Sequence, residues 1–364
     1  MSHIELLVPF ALPPSELAPD LLRNLSLPGL STLLARASPA PRPAGSDAAP
    51  ADGFARALPH EAMLAQRFGG GAGLATGGSP PIAPDLMQSC GLTVEPGYWL
   101  VVQPVHYHIA RDHLVLTDAR ALELSDADAH SLFLCAQACF AGAGLRLEYG
   151  SPQYWFVEAE RHRDLHTATP DAACGHNIDI WMPQGDSARA WRKLQNEVQM
   201  EWHAHAVNEA RERAGMVPVN SLWLWGGADV PATSAAATTP AVSAAGTPAL
   251  FGFDNWFGAF AAHASVSLPQ ATVTDVLASL ADRRLVLQDD LIAPALAGDW
   301  DTWRSRVQAL DTEWFAPLRG ALGEGRINMV TLYFSHGTVL RKWSASRASL
   351  RKFWLKPGLA RLLP

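Results

Sequence analysis

Residues 196–227 read NEVQMEWHAHAVNEARERAGMVPVNSLWLWGG. Followed back one turn, the first part has a helical period: Trp191, Leu194, Val198 and Trp202 fall on one apolar stripe, with Glu201, His205 and Asn208 beside it. Asp186 is the expected N-cap and Gly215 the expected stop, which predicts one long helix reaching about residue 214. A short loop then leads into a strand over residues 219–225. That strand carries Asn220, Trp223 and Trp225 and closes on Gly226-Gly227. Helix, loop and strand with an apolar inner side are the repeating unit of an α/β chain.

The same reading extends outward. Residues 98–109 are predicted as a strand that Pro104 confines in part to an edge, and Arg111-Asp112 turns it into a short strand at 114–117. Ser125 is the expected N-cap of a helix reaching about Gly142, with Asp126 and Asp128 in its first turn. Strands are expected at 145–149, 154–158 and 264–268, and helices at 273–281 and 300–310. A hairpin is expected to pair 328–334 with 338–343 around Ser335-His336-Gly337. Three Ala-, Pro-, Gly- or Thr-rich stretches, 35–51, 69–84 and 229–248, read as linkers or long surface loops. They divide the chain into residues 1–85, 86–228 and 249–364. The glycine run at 69–78 has neither phosphate-loop spacing nor a lysine.

The 364 residues are 48% hydrophobic and 17% charged, which excludes wholesale disorder. The most apolar long stretch, 132–145, falls short of the roughly 20 residues of a membrane span, so no membrane is expected. The opening residues carry Glu5 where a signal peptide wants base, and a cytoplasmic location is expected. Cys90, Cys135, Cys139 and Cys174 contain no CxxC pair. Cys135 and Cys139 share a helix face, either as small buried hydrophobes or as a redox or metal pair. Net charge is −7, yet residues 326–364 hold eight bases and no acid, leaving −15 on the rest. Such a tail suits a polyanion, or docking on its own or a neighbouring body. Trp343, Phe353 and Trp354 interleave those bases, so much of the tail is expected to pack, and nucleic acid is disfavoured as a partner.

Thirteen histidines raise the question of metal. His106 and His108 share one strand face, the wet one, and are expected to be solvated. On an intact helix His203 and His205 point roughly 160–200° apart and cannot hold one ion. Asp126 and His130 have helical i,i+4 spacing, but Asp126 already suits the helix dipole. Asp112-His113 sits in a turn. With no G-x-S-x-G present, a serine hydrolase has no visible nucleophile. The helix–strand segment of 196–227 is then either a site wall or a tryptophan-rich core seam with a satisfied Asn and His.

His205-Ala-Val-Asn208, Arg211, Gly215, Asn220 and Trp223-Leu-Trp225-Gly226 resemble the H-P-x-N-x-x-R-x-x-x-G … N-x-x-W-x-W-G segment of archaeal-type cofactor-independent phosphoglycerate mutases, of the alkaline-phosphatase superfamily. Residues 100–227 are more similar still to bacterial phosphoglycerate-mutase-like, or RpfE-type regulatory, proteins. The resemblance implies a mixed-sheet, alkaline-phosphatase-like architecture, degenerate and with long loops. Ala206 replaces the usual Pro. The mutases hold two divalent metals with an Asp-Gly after the opening strand, a Ser nucleophile, and later Asp and His ligands. Here the opening strand runs into Pro9-Phe10; Asp52-Gly53 lies in a loop, and Phe334-Ser335-His336-Gly337 is the nearest approach to a late Asp-His. The expectation is therefore no metal and no cofactor. What survives is a small phosphate or carboxylate site with Arg211 as clamp and Asn208 and Asn220 as orienting amides, lined further by Glu201, His205, Trp223, Trp225 and Gly226.

Three functions follow as expectations: a metal-free binding or regulatory protein, with a small ligand or protein partner; an active mutase or related phosphoester enzyme, with His205 as general base and Arg211 as anion clamp; and an interaction module acting through the basic tail.

Overall fold

The computed structural model describes residues 2–39, 54–68, 78–231 and 247–363. Most of the three linkers, and Asp52-Gly53, lie outside the described residues. The chain divides into two compact units, Met1–Ala49 with Thr239–Pro364, and Pro50–Thr238. This grouping differs from the three consecutive regions, 1–85, 86–228 and 249–364, that the linkers suggested. The opening strand explains the difference, because it pairs with strands nearly three hundred residues away.

That strand, His3–Val8, lies between Arg283–Leu287 and Met329–His336, parallel to both. The full order is Ser267–Leu268, Ala249–Phe251, Arg283–Leu287, His3–Val8, Met329–His336, Val339–Ser346, Ser38–Pro39. The first five strands pair in parallel, and the last two pairings are antiparallel. Ile4, Leu6, Leu7 and Val8 are fully buried, as a strand covered on both faces requires. Glu5 is buried too, and accepts hydrogen bonds from Arg283 and from the Tyr333 hydroxyl. The Met329–His336 and Val339–Ser346 strands form the expected hairpin. Asp311 caps the Pro28–Arg36 helix from a distant part of the chain, accepting from the backbone N–H groups of Gly29 and Leu30. A Cβ on Gly29 would stand 2.5 Å from the Ala316 backbone nitrogen, so only glycine admits that approach.

The second unit contains a four-stranded antiparallel sheet in the order Arg146–Tyr149, Trp155–Glu158, Gly97–Val105, Ser221–Val230. The expected strand at 98–109 is divided, because Tyr107–Ala110 leaves this sheet to pair with His113–Leu116. Pro104 is tolerated because pairing with Trp155–Glu158 ends at Val102, so nothing there asks it for an N–H. One sheet face, with Leu100, Val102, Trp155, Leu222 and Leu224, packs under the Asp126–Gly142 and Ala188–His203 helices. Ser125 caps the first of these helices as expected. Trp99, Trp223 and Trp225 fall on the alternate face and are also fully buried.

The long helix predicted from Asp186 is two helices, Ala188–His203 and Ala206–Arg213. Asp186 does not cap the first; the residue before it is Ser187, which makes no side-chain cap. The break sits at Ala204-His205. There His205 takes an extended backbone and its Nδ1 accepts from the Val207 N–H, so it serves as the N-cap of the second helix.

Candidate functional site

The Ala188–His203 helix buries Trp191, Leu194, Gln195, Val198 and Trp202 against the sheet. The Trp202 indole donates to the Leu132 carbonyl and meets Trp155 edge-on at 5.8 Å. The following turn brings Asn208, Arg211, Val219 and Asn220 into the same seam. The structure brings Asn208, Arg211 and Asn220 together and directs most of their polar atoms to the backbone, while the buried Arg211 Nη1 meets no acceptor among the described residues.

Asn208 is buried. Its amide donates to the carbonyls of Trp202 and Val219 at 2.9 and 2.8 Å and accepts from the Val219 N–H at 2.8 Å. Asn220 grips the Tyr107 backbone in the same way, accepting from its N–H and donating to its carbonyl, both at 2.8 Å. Arg211, only 3% exposed, donates through Nε to the Val217 carbonyl and through Nη2 to the Leu122 carbonyl. Trp223 donates to the Ala168 carbonyl. Trp225 is fully buried. Glu201 is exposed on the helix surface.

Gly226 has a job of its own. It adopts φ +72° opposite the irregularity between Trp99 and Val101, where the strand pairing gains one residue. A left-handed glycine is what such a bulge requires. Its N–H donates to the Ser79 hydroxyl and its carbonyl accepts from Ile82, which ties the 79–90 segment to the sheet.

Arg211, Asn208 and Asn220, expected as an anion clamp, direct these bonds to the protein's own backbone. Their donors bridge helix, loop and hairpin, and the cluster is the tryptophan-rich seam. His205, expected as a general base, uses Nδ1 as the cap of the Ala206–Arg213 helix. Nothing in the local pattern distinguishes the two roles, since an amide that orients a ligand and one that orients a loop look alike in sequence.

Two other places can receive a ligand. The first is a groove of about 590 Å³ lined by Asn196, Gln199, Met200, His203 and Asn220. Asn196, Gln199, Met200 and His203 lie three, four and seven residues apart and so share one helix face. All four are exposed, and Arg192 continues that face one turn earlier. In the sequence these exposed polar residues form no motif that marks the face as a site.

The second is the carboxyl end of the parallel strands in the other unit, where open α/β sheets bind ligands. Asp254 and Asn255 follow the Ala249–Phe251 strand, Asp289 and Asp290 follow Arg283–Leu287, and His336 ends Met329–His336. Phe10 and Asn255 hold positive φ there, at +56° and +48°, an unusual backbone for a phenylalanine above all. Burial raises the Asp254 carboxyl above its usual range, and the charge of Asp290 adds to the effect. Burial lowers the His336 imidazole, whose ring meets Phe10 edge-on at 5.7 Å.

Among the described residues no three or more His, Cys, Asp or Glu side chains stand close enough to hold a metal. His106 is half-buried and bonded to the Pro218 carbonyl, while its neighbour His108 is exposed beside Thr117. Asp126 accepts from the Tyr149 hydroxyl. Asp112 and His113 form an exposed pair. All four cysteines are free, and Cys135 and Cys139 pack at the edge of the helix–sheet core, where burial raises both thiols.

The sequence matches no family model and no curated protein. Solved structures similar to this chain include the cofactor-independent phosphoglycerate mutase from Thermoplasma acidophilum, at 14% identity and a TM-score of 0.41, covering 95% of this chain and 90% of that one. Another is the PH0037 protein from Pyrococcus horikoshii, at 13% identity and a TM-score of 0.48, covering 95% and 87%. The chain is a mixed α/β protein with a mixed sheet, the class expected from its sequence. No helix of the described residues is long and apolar enough to cross a membrane.

Proposed function

We propose that this chain is a phosphoglycerate-mutase-like protein that works by binding rather than by two-metal phosphoryl transfer, as a regulatory protein responding to a small phosphorylated or carboxylate ligand. The observation that carries this reading is the internal use of the segment it shares with the mutases. Asn208, Arg211 and Asn220 hold backbone groups, so the segment is kept for architecture. The ligand site that fits is the groove beside Asn220. Its volume is in the small-molecule range. Asn196 and Gln199 offer amide donors, and Arg192 supplies a cation at one end of that face.

A phosphoester enzyme is the second reading, favoured by Asp254, Asp289, Asp290 and the strained Phe10 at the carboxyl end of the parallel strands. An anion could approach those carboxylates only with a cation between them.

One experiment separates the two: metal analysis of the purified protein, with thermal-shift titration by 3-phosphoglycerate and glycerate. The binding reading expects stabilisation without metal, lost in an Asn196→Leu/His203→Leu variant. Stoichiometric divalent metal, with turnover abolished by Asp254→Asn, would replace it with the enzyme reading.

A further inference from the structure

Much of the basic tail packs, as its aromatic spacing suggested, but not all of its aromatics do. Trp343 does; it is 5% exposed and rests on Phe334, with ring centroids 5.6 Å apart. Phe353 and Trp354 do not. They are 81% and 65% exposed, next to each other in a loop that follows the short Arg347–Leu350 helix. Their rings meet edge-to-face, 5.4 Å apart, as a single apolar knob.

This exposure is not the fraying of a chain end. Arg36 donates to the Leu350 carbonyl just before the loop. Beyond it, Arg341 donates to the carbonyls of Arg361 and Leu363, Arg361 donates to the Ala37 carbonyl, and Leu362 is buried. Both stems of the loop are thus fastened to the same unit, and the aromatic tip is held out from it.

Charge surrounds the tip. Arg351 and Lys352 precede it, Lys356 follows it, and none of the three makes an ion pair among the described residues. Four of the other five bases of the tail are occupied: Arg326 pairs with Glu324, Lys342 lies over the Tyr333 ring, and Arg341 and Arg361 bind carbonyls. Arg347, exposed at the start of the short helix, makes no ion pair among the described residues and adds to the charge beside the tip. A rigid Phe-Trp tip among unpaired bases combines two signals. Tryptophan favours the boundary between water and hydrocarbon, and bases favour an anionic surface.

We propose that residues 351–356 form a peripheral docking loop for an anionic membrane surface, with Phe353 and Trp354 entering the headgroup layer and Arg351, Lys352 and Lys356 contacting lipid phosphates or carboxylates. This departs from the expectation that no membrane is involved, which rested on spans alone. Single-stranded nucleic acid is the competing polyanion. It is the poorer match, because stacking bases need separate aromatic faces along a basic groove. Here the two rings make one projecting knob, and the free bases lie in one short stretch, 347–356.

The test is co-sedimentation of the full chain with vesicles of phosphatidylcholine alone or doped with phosphatidylserine. Three neighbouring bases imply a preference for the anionic vesicles on the order of a hundredfold at low salt, collapsing at high salt. Phe353→Ser/Trp354→Ser should cut binding to anionic vesicles at least about tenfold, with unchanged circular dichroism and melting temperature. Arg351→Gln/Lys352→Gln/Lys356→Gln should erase the preference between the two vesicles. Failure of the wild-type chain to bind anionic vesicles would overturn the proposal, as would wild-type binding by the aromatic variant. So would a single-stranded oligonucleotide that binds through the same residues while vesicles do not.

Discussion

Asn208→Ala separates a structural amide from a ligand-orienting one. In the folded chain this side chain satisfies the N–H and the carbonyl of Val219, a residue with no exposed surface, and adds a bond to the Trp202 carbonyl. The Trp202 carbonyl keeps other donors, the N–H groups of Ala204 and His205. The two Val219 groups lose the only side chain that meets them among the described residues. Each buried backbone group left unsatisfied costs about 1–3 kcal/mol, so the substitution should remove about 3–5 kcal/mol of stability. That is a large share of the roughly 5–15 kcal/mol typical of a folded protein. Asn208→Asp provides a second reading of the same geometry. It retains an acceptor for the Val219 N–H but turns a carboxylate toward two carbonyls, so its penalty should be larger at neutral than at acid pH. Urea unfolding gives the loss. Hydrogen exchange read by mass spectrometry should place it, with protection falling first in peptides spanning 202–225. A loss below about 1 kcal/mol for Asn208→Ala, combined with abolished ligand binding, would refute the argument and return Asn208 to the binding site.

Two further outcomes follow from buried chemistry in the same unit. Glu61 is fully buried, accepts from the Leu58 N–H and the Thr169 hydroxyl, and is pushed up to about 8 by burial and, next, by the charge of Asp171. His60, Arg120 and Asp171 are the titratable groups around it, with Arg120 gripping Asp171 and Asp118. A carboxyl held above its ordinary value stabilises the fold most below that value. The benefit is lost as pH rises through the folded-state value. The melting temperature should therefore fall between about pH 5 and 8, and Glu61→Gln, which stays neutral, should flatten that slope; an unchanged slope would count against the assignment. Gly226→Ala forces a side chain into a left-handed backbone, with its Cβ 3.0 Å from Val101 Cγ2, and should cost about 1–2 kcal/mol in urea unfolding. No cost would mean that the bulge relaxes.

Local pattern alone determined much of this protein. Ser125 and the acids after it start a helix because an N-cap needs only its own neighbours, and 328–343 forms a hairpin because a tight turn joins two alternating runs. The apolar stripe from Trp191 to Trp202 is buried for the same local reason. The parallel sheet could not be read this way. The opening strand becomes its centre through pairings to residues 283–287 and 329–334, which carry no mark of the partnership in sequence.

Tertiary structure also decided what the polar residues do. Asn220 borders the groove, but its amide lies where the Tyr107 backbone needs an acceptor and a donor, and a peptide group takes the nearest amide. His205 ends one helix and caps the next because the chain turns there to bring Asn208 onto Val219. Phe353 and Trp354 stand in water because the stems on either side are pinned, although their composition is that of a core. Composition and periodicity report which side chains prefer burial or hydrogen bonds, whereas only the folded chain determines which groups are within reach to provide them.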